Sequence, residues 1–511
     1  MTNETESKFQ RLFTSSGVVF AGLVLQLGLG FLARIVIARL LGRVDYGAVA
    51  LGVTLLNTAA IIVVIGTDTG VGRFLPRCDD TERRRGVLVS AYQLIMPLSV
   101  VIGFAVALLA GPIAEHAFHS PSLAPILRVF ALTIPLAAFV RLTVGSVRGM
   151  KQSVPRVYIQ NVGLPLSRFA LIAVALLVGY RAVGVAWAYA GAYVVATLLS
   201  LYYLHRHTTL FSRKPAASMH RELLTFSAPI VVTTTMNTLF QNIDIFMLGY
   251  FASTGDVGIY TVVYPLASLL TTMLMAFGFV FMPTISELDA SGNVAEMKRT
   301  YGLTSKWTFM TTLPLFLFVA SFPELIIQYT FGSEFTPGTI ALTILAIGFF
   351  TQGAIGPCGD TLTAMGKTRL VMCDSVAVAV VIVLLNLVLI PRYSYVGAAA
   401  ATTAGFLLMN TLYLVQLYRE IGAHPFRGPL LRPGVIAGLL WAVLYLVVQT
   451  FFAVTVPVLA VGMVCFLTLY SVIIIRFGGI ESEEVSLLGT FEERIGFELS
   501  SVRAVAKRFI G

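Results

Sequence analysis

Apolar segments long enough to cross a bilayer recur along the whole chain, and they constrain the fold more than any other feature. A membrane-spanning helix needs about 20 apolar residues. Fourteen such windows lie near residues 13–38, 46–69, 87–110, 124–145, 156–179, 182–204, 222–251, 257–283, 301–322, 337–358, 368–390, 395–418, 432–452 and 456–476. The sequence therefore predicts an all-α, polytopic membrane protein with about fourteen transmembrane helices joined by short loops.

The composition excludes other classes of protein. The 511 residues are 57% hydrophobic and 12% charged, whereas a soluble domain is about 45–50% apolar and about 25% charged. This excludes a soluble enzyme with one large core, and it also excludes a disordered chain. The net charge of +10 would indicate a nucleic-acid partner in a soluble protein, but here we attribute it to cytoplasmic loops. The four cysteines have no metal-site or disulfide spacing, so no metal site is predicted.

The positive charges orient the predicted spans. With the N-terminus placed in the cytoplasm, 27 of the 35 Lys and Arg residues fall on inner segments and four fall on outer loops. Inner loops of membrane proteins carry such an excess. The bias predicts a multi-pass protein of the cell membrane with both termini in the cytoplasm, and it requires an even number of spans.

Short motifs in the first half of the chain recur in the second half. Asp45–Gly47 recurs as Asp256–Gly258, and Phe74–Pro76 recurs as Phe281–Pro283. Four such pairs occur, offset by 207 to 216 residues. Six spans, an even number, separate the copies, so both copies enter the membrane from the same side. Parallel repeats of this kind, related by an axis along the membrane normal, are typical of transporters.

The repeat predicts the domain organisation. Residues 1–210 form an N-lobe of six helices, residues 211–425 form a C-lobe of six, and residues 426–478 hold two further helices. Residues 479–511 are predicted to form a cytoplasmic amphipathic helix at the membrane surface, with a partner-binding helix as the alternative. Its apolar residues recur at spacings of three and four: Leu488, Phe491, Ile495, Leu499, Val502, Val505 and Phe509.

Two motifs give the chain a family resemblance. They run from Ala38–Gly42 to Asp45–Gly47, and from Ile243–Tyr250 to Val257–Tyr260. With six, six and two helices, residues 10–476 resemble the polysaccharide-transporter branch of the multidrug/oligosaccharidyl-lipid/polysaccharide (MOP) exporter superfamily. The resemblance implies a flippase that moves a lipid-linked oligosaccharide from the cytoplasmic to the outer leaflet by alternating access, for cell-surface polysaccharide or glycoprotein assembly. It implies no cofactor, and its expected partners are membrane lipids and glycan-assembly enzymes.

Four arginines lie within predicted spans of the first half: Arg34, Arg128, Arg141 and Arg168. An ionisable side chain at bilayer depth is costly, so each requires an explanation. One hypothesis is that these cations line a cavity and bind the phosphate or diphosphate of the lipid carrier, or acidic sugars. Guanidinium suits phosphate because its planar fork donates two hydrogen bonds at once. The alternative is snorkelling, or pairing with carbonyl groups at helix ends.

A second set of polar residues lies in the second half. The spacing of Thr233, Asn237, Gln241 and Asp244 places them on one face of the seventh span. The same hypothesis adds residues from the eleventh and twelfth spans, namely Asp374, Asn386, Thr402 and Thr403. Carboxylate, amide and hydroxyl oxygens suit Na⁺, and a lone buried carboxyl can carry a proton. The set is therefore a candidate for Na⁺ or H⁺ coupling; the alternative is a hydrogen-bond network that holds the lobe together.

Two further charges carry specific expectations. Asp68, near the inner end of the second span, is expected to meet water or a loop arginine. Arg39 precedes the outer turn and is expected to anchor it by pairing with Asp45.

Other functions of membrane proteins fit the sequence less well than a flippase does. A drug-cation antiporter of the same superfamily would need acids in the cavity of the first half, where arginines outnumber the single acid Asp68. A membrane-embedded glycosyltransferase or polymerase usually has a large outer loop with catalytic acids, and the outer loops here are short, so the chain is not expected to be an enzyme. No Gly-x-x-x-x-Gly-Lys-Ser/Thr stretch occurs, which excludes an ATP-driven pump.

Overall fold

The computed structural model describes residues 3–150, 152–208, 210–212, 215–426 and 428–477. All of the regular secondary structure in these residues is helical, which confirms the all-α prediction. The predicted amphipathic helix of residues 479–511 lies outside the described residues. The helices are α1 (Asn3–Val64), α2 (Thr67–Phe74), α3 (Thr81–Pro112), α4 (Ala124–Gly149), α5 (Ser153–Arg156), α6 (Leu164–Leu177), α7 (Ala182–His207), α8 (His220–Phe251), α9 (Thr254–Ser268), α10 (Thr272–Ala290), α11 (Val294–Ser321), α12 (Pro323–Thr330), α13 (Thr339–Ile355), α14 (Cys358–Ala364), α15 (Thr368–Ile421), α16 (Gly428–Phe451) and α17 (Val456–Phe477).

Two long helices each contain two predicted spans. In α1 the chain leaves helical geometry at Gly42 (φ 76°, ψ 174°), a backbone conformation that favours glycine because it has no Cβ. In α15 the break is at Ser394 (φ 50°). These two sites coincide with the predicted outer turns between spans one and two and between spans eleven and twelve.

The helices account for the predicted number of spans. Ten are long and apolar enough to cross a membrane, or eleven when the bent pair α11–α12 counts as one span. Two of the ten, α1 and α15, are the helices divided by the kinks, and the seventh predicted span is α8, which has 32 residues. The architecture is therefore that of a polytopic membrane protein, consistent with about fourteen transmembrane helices.

One compact unit of the structure comprises Met1–Val263, Ile327–Gly338 and Val383–Ala398. Its central helix is α4, which packs against α1, α3 and α7. Along α4, Phe130, Ile134, Ala138 and Leu142 recur every fourth residue and are buried. Because residues four apart share one helix face, this stripe forms the contact surface with the neighbouring helices.

The other compact unit comprises Tyr264–Ile326, Thr339–Ile382 and the chain from Ala399 onward. It has two apolar clusters, one around Tyr301 and Cys358 and one around Trp441 and Phe466. In the second cluster the indole of Trp441 donates to Ser321 Oγ at 2.8 Å, which fixes α16 against the end of α11. The N-lobe and C-lobe boundaries describe sequence repeats and stay predictions.

The repeated motif marks a close crossing of two helices within the first unit. Gly47 faces the backbone of Thr254 and Gly258, and Gly258 faces the backbone of Arg43 and Gly47. A methyl group at Gly47 would overlap the Thr254 carbonyl oxygen, and one at Gly258 would overlap the Arg43 carbonyl oxygen. Gly47 and Gly258, like Arg43 and Thr254, are 211 residues apart, which is the offset of the repeat. The contact is therefore reciprocal, as a local two-fold axis between the repeats requires.

Gly258→Ala is expected to destabilise the protein, because overpacking a tight contact typically costs about 1–3 kcal/mol. The measurement is the thermal unfolding midpoint of the purified protein in detergent. Gly438→Ala is the matched control, since a Cβ on this α16 glycine meets no atom within 4 Å and alanine is the better helix former. If Gly258→Ala melts no lower than Gly438→Ala, the crossing is not tightly packed.

Candidate substrate and coupling sites

Arg34 lies on α1, eight residues before the kink at Gly42, and its side chain is exposed. Its charge interacts with the hydroxyl group of Tyr46, which follows the kink. Tyr46 is buried and its hydroxyl forms a side-chain hydrogen bond with Thr261. The Gly42 kink therefore brings an intramembrane cation next to a fixed phenol.

Arg168, on α6, lies over two tyrosine rings of α7. Its guanidinium carbon is 4.7 Å from the ring centre of Tyr189 and 5.8 Å from that of Tyr193. Cation–π contacts of this kind stabilise a cation away from water. The Nε atom of Arg168 is buried and has no hydrogen-bond partner among the described residues. Since a buried donor without an acceptor is costly, this N–H is available to a ligand.

The hydroxyl groups of Tyr46 and Tyr189 are close enough to interact electrostatically. Electrostatic interactions therefore link Arg34 to Tyr46 and Tyr46 to Tyr189, and a cation–π contact links Tyr189 to Arg168. We call these four residues, with Tyr193, the arginine–tyrosine cluster. Of the four arginines predicted for the cavity, this cluster includes Arg34 and Arg168.

Arg141 has a different environment. Its Nε lies 3.4 Å from Asp68 Oδ2, and the two side chains are 40% and 18% exposed. Asp68 therefore meets an arginine of the fourth span, where the sequence predicted water or a loop arginine. The carboxylate offsets the charge of Arg141, so this arginine is less suited to binding an anion than Arg34 is.

Arg128 is exposed near the start of α4, and its guanidinium lies over Gly111 of α3. This position is compatible with the predicted snorkelling. The glycine provides the space for the long side chain to extend along the helix surface.

The candidate coupling residue Asp244 is buried in a hydrogen-bond network. Tyr260 Oη donates to its Oδ2 at 2.8 Å, and Asn386 Nδ2 donates to its Oδ1 at 2.5 Å. Asn386 is fully buried, and its own Oδ1 has no hydrogen-bond partner in the part of the chain that the structure describes. The network joins α8, α9 and α15, and it leaves one buried amide oxygen beside a carboxylate.

The other candidate coupling residues are placed elsewhere. Asn237 and Gln241 are exposed on α8. In the second unit, Asp374 is buried with an Oδ2 that lacks a partner among the described residues, and Thr403 donates to the Ile344 carbonyl at 2.9 Å. Among the residues predicted for coupling, the structure brings together Asp244 and Asn386.

The outer turn is anchored differently from the prediction. Arg39 does pack as an anchor, but its guanidinium donates to the carbonyl oxygens of Tyr329 and Thr330. Asp45 pairs instead with Arg181, at 3.4 Å. The expected pair of Arg39 and Asp45 was wrong because the C-terminus of α12 offers carbonyl oxygens at the position of the guanidinium.

Tyr189, Tyr193 and Tyr260 were missed by the sequence analysis. Tyrosine in an apolar segment has no distinctive spacing, and aromatic side chains are common in membrane helices. Tyr46 was part of the repeated motif, which is a sequence signal that could have indicated it.

The family follows from a match over more than half of the chain. Residues 12–289 match the model of the family described as "Polysaccharide biosynthesis protein". The chain belongs to this family. Residues 229–390 match a second family model, MatE, and together the two place the chain in the MOP superfamily.

Several relatives are named as flippases or transporters. A Haloferax volcanii protein named as a low-salt glycan biosynthesis flippase, Agl15, is 25% identical over 201 residues, 39% of this chain and 43% of the relative. A Shigella flexneri protein named as an O-antigen transporter is 20% identical over 77% of this chain and 93% of the relative. The chain thus spans less than half the length of the Haloferax relative and nearly all of the Shigella relative.

Solved structures share the fold. A structure of the lipid II flippase MurJ in an inward closed conformation superposes with a TM-score of 0.71 at 12% identity, over 90% of this chain and 98% of the other. An inward-facing multidrug resistance transporter of the MATE family gives 0.61 at 15% identity, over 78% of this chain and 94% of the other.

One acid outside the predicted spans has a shifted pKa. Asp360 lies on the short helix α14, between the tenth and eleventh spans, and its Oδ2 is 3.0 Å from where a Cβ on Gly278 would lie. Burial raises the pKa of the Asp360 carboxyl above its ordinary value. Because the folded pKa is the higher one, the charged carboxylate disfavours folding at neutral pH, and this penalty disappears as the pH falls below the unfolded pKa.

Asp360→Asn is therefore expected to raise the unfolding midpoint at pH 7, and the gain should shrink as the pH approaches 4. The measurement is thermal unfolding in detergent across this pH range. Asp289→Asn, which changes an exposed acid at the end of α10, is the control and should leave the midpoint unchanged. An equal gain for Asp360→Asn at pH 4 and pH 7 would show that charge burial is not the cause.

Proposed function

We propose that this protein is a flippase that moves a lipid-linked oligosaccharide from the cytoplasmic to the outer leaflet. The observation that supports the proposal is the arginine–tyrosine cluster, which contains two arginines of the predicted spans. Membership of the polysaccharide biosynthesis family supports a glycan as cargo. The naming of relatives as flippases and transporters supports transport, and we infer that the protein moves its substrate without altering it chemically.

The chemistry of the cluster suits an anionic lipid carrier. A polyprenyl phosphate or diphosphate presents oxygens that a guanidinium binds with two parallel hydrogen bonds. Arg34 is exposed, and no carboxylate pairs with it among the described salt bridges. Arg168 offers the buried Nε–H that has no protein acceptor. A phosphate oxygen would satisfy this donor and offset the cost of its burial.

The same geometry disfavours a drug-cation antiporter. Such a transporter needs an unpaired acid in its cavity, and Asp68 is neutralised by Arg141 at 3.4 Å. The hydroxyl of Tyr46 and the rings of Tyr189 and Tyr193 face the arginines. Hence the first half of the chain is suited to an anion.

We propose alternating access as the mechanism. Both termini lie in the cytoplasm, as the loop charges predict. Arg34 and Arg168 bind the carrier phosphate from the inner leaflet while the polyprenyl tail stays in the lipid. The two repeats then tilt about the pathway, and the headgroup is exposed on the outer side, where glycan-assembly enzymes consume it.

Replacing Arg34 tests this function. Arg34→Ala is expected to lower glycan transfer to the outer face by about tenfold or more, since a hydrogen bond to a charged group contributes about 1.5–3 kcal/mol. Arg34→Lys keeps the charge without the fork and should retain part of the activity. The measurement is surface glycan on intact cells at matched protein level.

Arg392→Ala is the control, because Arg392 is an exposed arginine beside the Ser394 kink of α15, at a predicted outer turn. Full activity in both Arg34 variants would remove Arg34 from the binding site and with it the main support for this function.

We further propose that the Asp244–Asn386 network couples transport to a Na⁺ or H⁺ gradient. The observation in favour is the buried Oδ1 of Asn386 without a partner among the described residues. A Na⁺ ion could take ligands from Asp244, this amide oxygen and Tyr260, and a proton could bind the carboxylate itself.

Asp244→Asn is expected to abolish the response of glycan transport to an imposed Na⁺ or H⁺ gradient. The slower transport that occurs without a gradient should remain. The assay uses proteoliposomes with each gradient imposed separately. Asp289→Asn, an exposed acid, should respond as the unchanged protein does. If the Asp244→Asn variant responds to the gradients as strongly as the unchanged protein does, the coupling proposal is contradicted. The flippase proposal would remain intact.

A further inference from the structure

A short segment of the second repeat packs on the first repeat. Ile327–Gly338, which we call the outer strap, comprises the C-terminal part of α12 and the link to α13. It belongs to the compact unit of Met1–Val263, whereas the chain on either side of it belongs to the other unit. Its apolar side chains Ile327, Phe331 and Phe335 are at most 1% exposed. The strap is therefore docked through a buried apolar face.

Aromatic contacts attach the strap to the first two spans. The rings of Phe31 and Phe331 are 5.9 Å apart, and those of Tyr46 and Phe335 are 5.8 Å apart, both edge to face. At the end of the strap, a Cβ on Gly338 would be 2.8 Å from side-chain atoms of Ile259 and Val263 on α9. The strap thus covers both helices that meet at the reciprocal glycine crossing.

The first polar contact caps the C-terminal end of α12, which is part of the strap. Arg39 Nε donates to the Thr330 carbonyl at 2.8 Å, and its Nη2 donates to the Tyr329 carbonyl. These are the last two residues of α12. Carbonyl groups at a helix C-terminus lack partners within the helix and carry partial negative charge, so a guanidinium is favourable there.

The second polar contact caps a helix in the opposite direction. Glu334 Oε2, on the strap, accepts from the backbone N–H of Arg43 at 3.1 Å. Arg43 is the first residue after the Gly42 kink, so its N–H is one of the donors at a helix N-terminus that have no acceptor within the helix. A carboxylate is favourable at this position. A Cβ on Gly42 would lie 2.6 Å from Glu334 Oε2, so glycine also provides the space for the carboxylate.

The two contacts are reciprocal. The turn between the first two spans supplies the cation for the end of α12, and the strap supplies the anion for the start of the second span. A third contact, from Tyr395 Oη to the Pro337 carbonyl at 3.3 Å, adds the start of the twelfth span. Each link joins the strap to helices that are remote from it in sequence.

We propose that the outer strap is a latch that keeps the outer end of the pathway closed, and that its two reciprocal helix caps must break before the headgroup can leave. The proposal rests on the proposed function for the direction of transport. The closed state of the latch is measurable without any transport. The charged residues of the two caps, Arg39 on α1 and Glu334 on the strap, are exposed, so the caps can be released without unpacking the apolar face.

The test measures access from outside to a position beneath the strap. Ile259→Cys is placed in a chain whose four native cysteines are replaced by serine or alanine, and a membrane-impermeant maleimide is added to intact cells. Labelling is expected to be slow in this background. Arg39→Ala and Glu334→Ala should each raise the labelling rate about fivefold, since each removes a cap and a favourable helix-end charge.

Conservative and matched variants separate the latch from general unfolding. Glu334→Gln keeps an acceptor but loses the charge, so it should label at an intermediate rate. Glu324→Ala and Arg392→Ala remove exposed charges of the same predicted outer surface and should label at the background rate. Inside-out vesicles, treated in parallel, should show no increase from the inner side.

Two results would overturn the latch. One is an unchanged labelling rate in Arg39→Ala and Glu334→Gln at unchanged melting temperature, and the other is fast outer labelling before any cap is removed. Neither depends on glycan transfer. If Arg34 proves dispensable while the caps control access, the flippase proposal fails and the latch stands.

Discussion

The hydrocarbon core of a bilayer offers no hydrogen bonds, so each polar group placed there must find a partner within the protein. Several polar side chains of the described helices obey this constraint. Arg141 is paired with Asp68, and Asp244 accepts from Tyr260 and Asn386. Two buried atoms that lack a partner among the described residues, Arg168 Nε and Asn386 Oδ1, support the functional proposals.

The same constraint explains why the close contacts in the first unit use glycine. With backbone hydrogen bonds satisfied within each helix, helices in a membrane associate mainly through van der Waals packing, and small residues let their backbones approach. Gly47 and Gly258 meet in this way, and their reciprocal contact relates the two repeats directly. Beside this crossing, the outer strap adds contacts that depend on charge, which are easier to break than a packed glycine surface.

The sequence was sufficient to predict the membrane spans, because the hydropathy of a segment depends only on the residues within it. Segment length and loop charge predicted about fourteen spans, and the described helices are consistent with that number. The candidate site was only partly predictable. The cost of an intramembrane charge singled out Arg34 and Arg168, but Tyr189 and Tyr193, which lie beneath Arg168, carry no sequence signal. The expected pair of Arg39 and Asp45 was wrong, since the carbonyl oxygens that Arg39 contacts lie about 290 residues away.

By itself, the sequence determined the helical class, the number of spans, the internal repeat and the few charges that require an explanation. Each of these follows from residue type and spacing along one dimension. The tertiary structure alone decided which charges are paired, which are free for a ligand, and which helix ends cap one another. Those outcomes depend on distances between residues remote in sequence, and the packing of kinked helices around glycine crossings sets these distances.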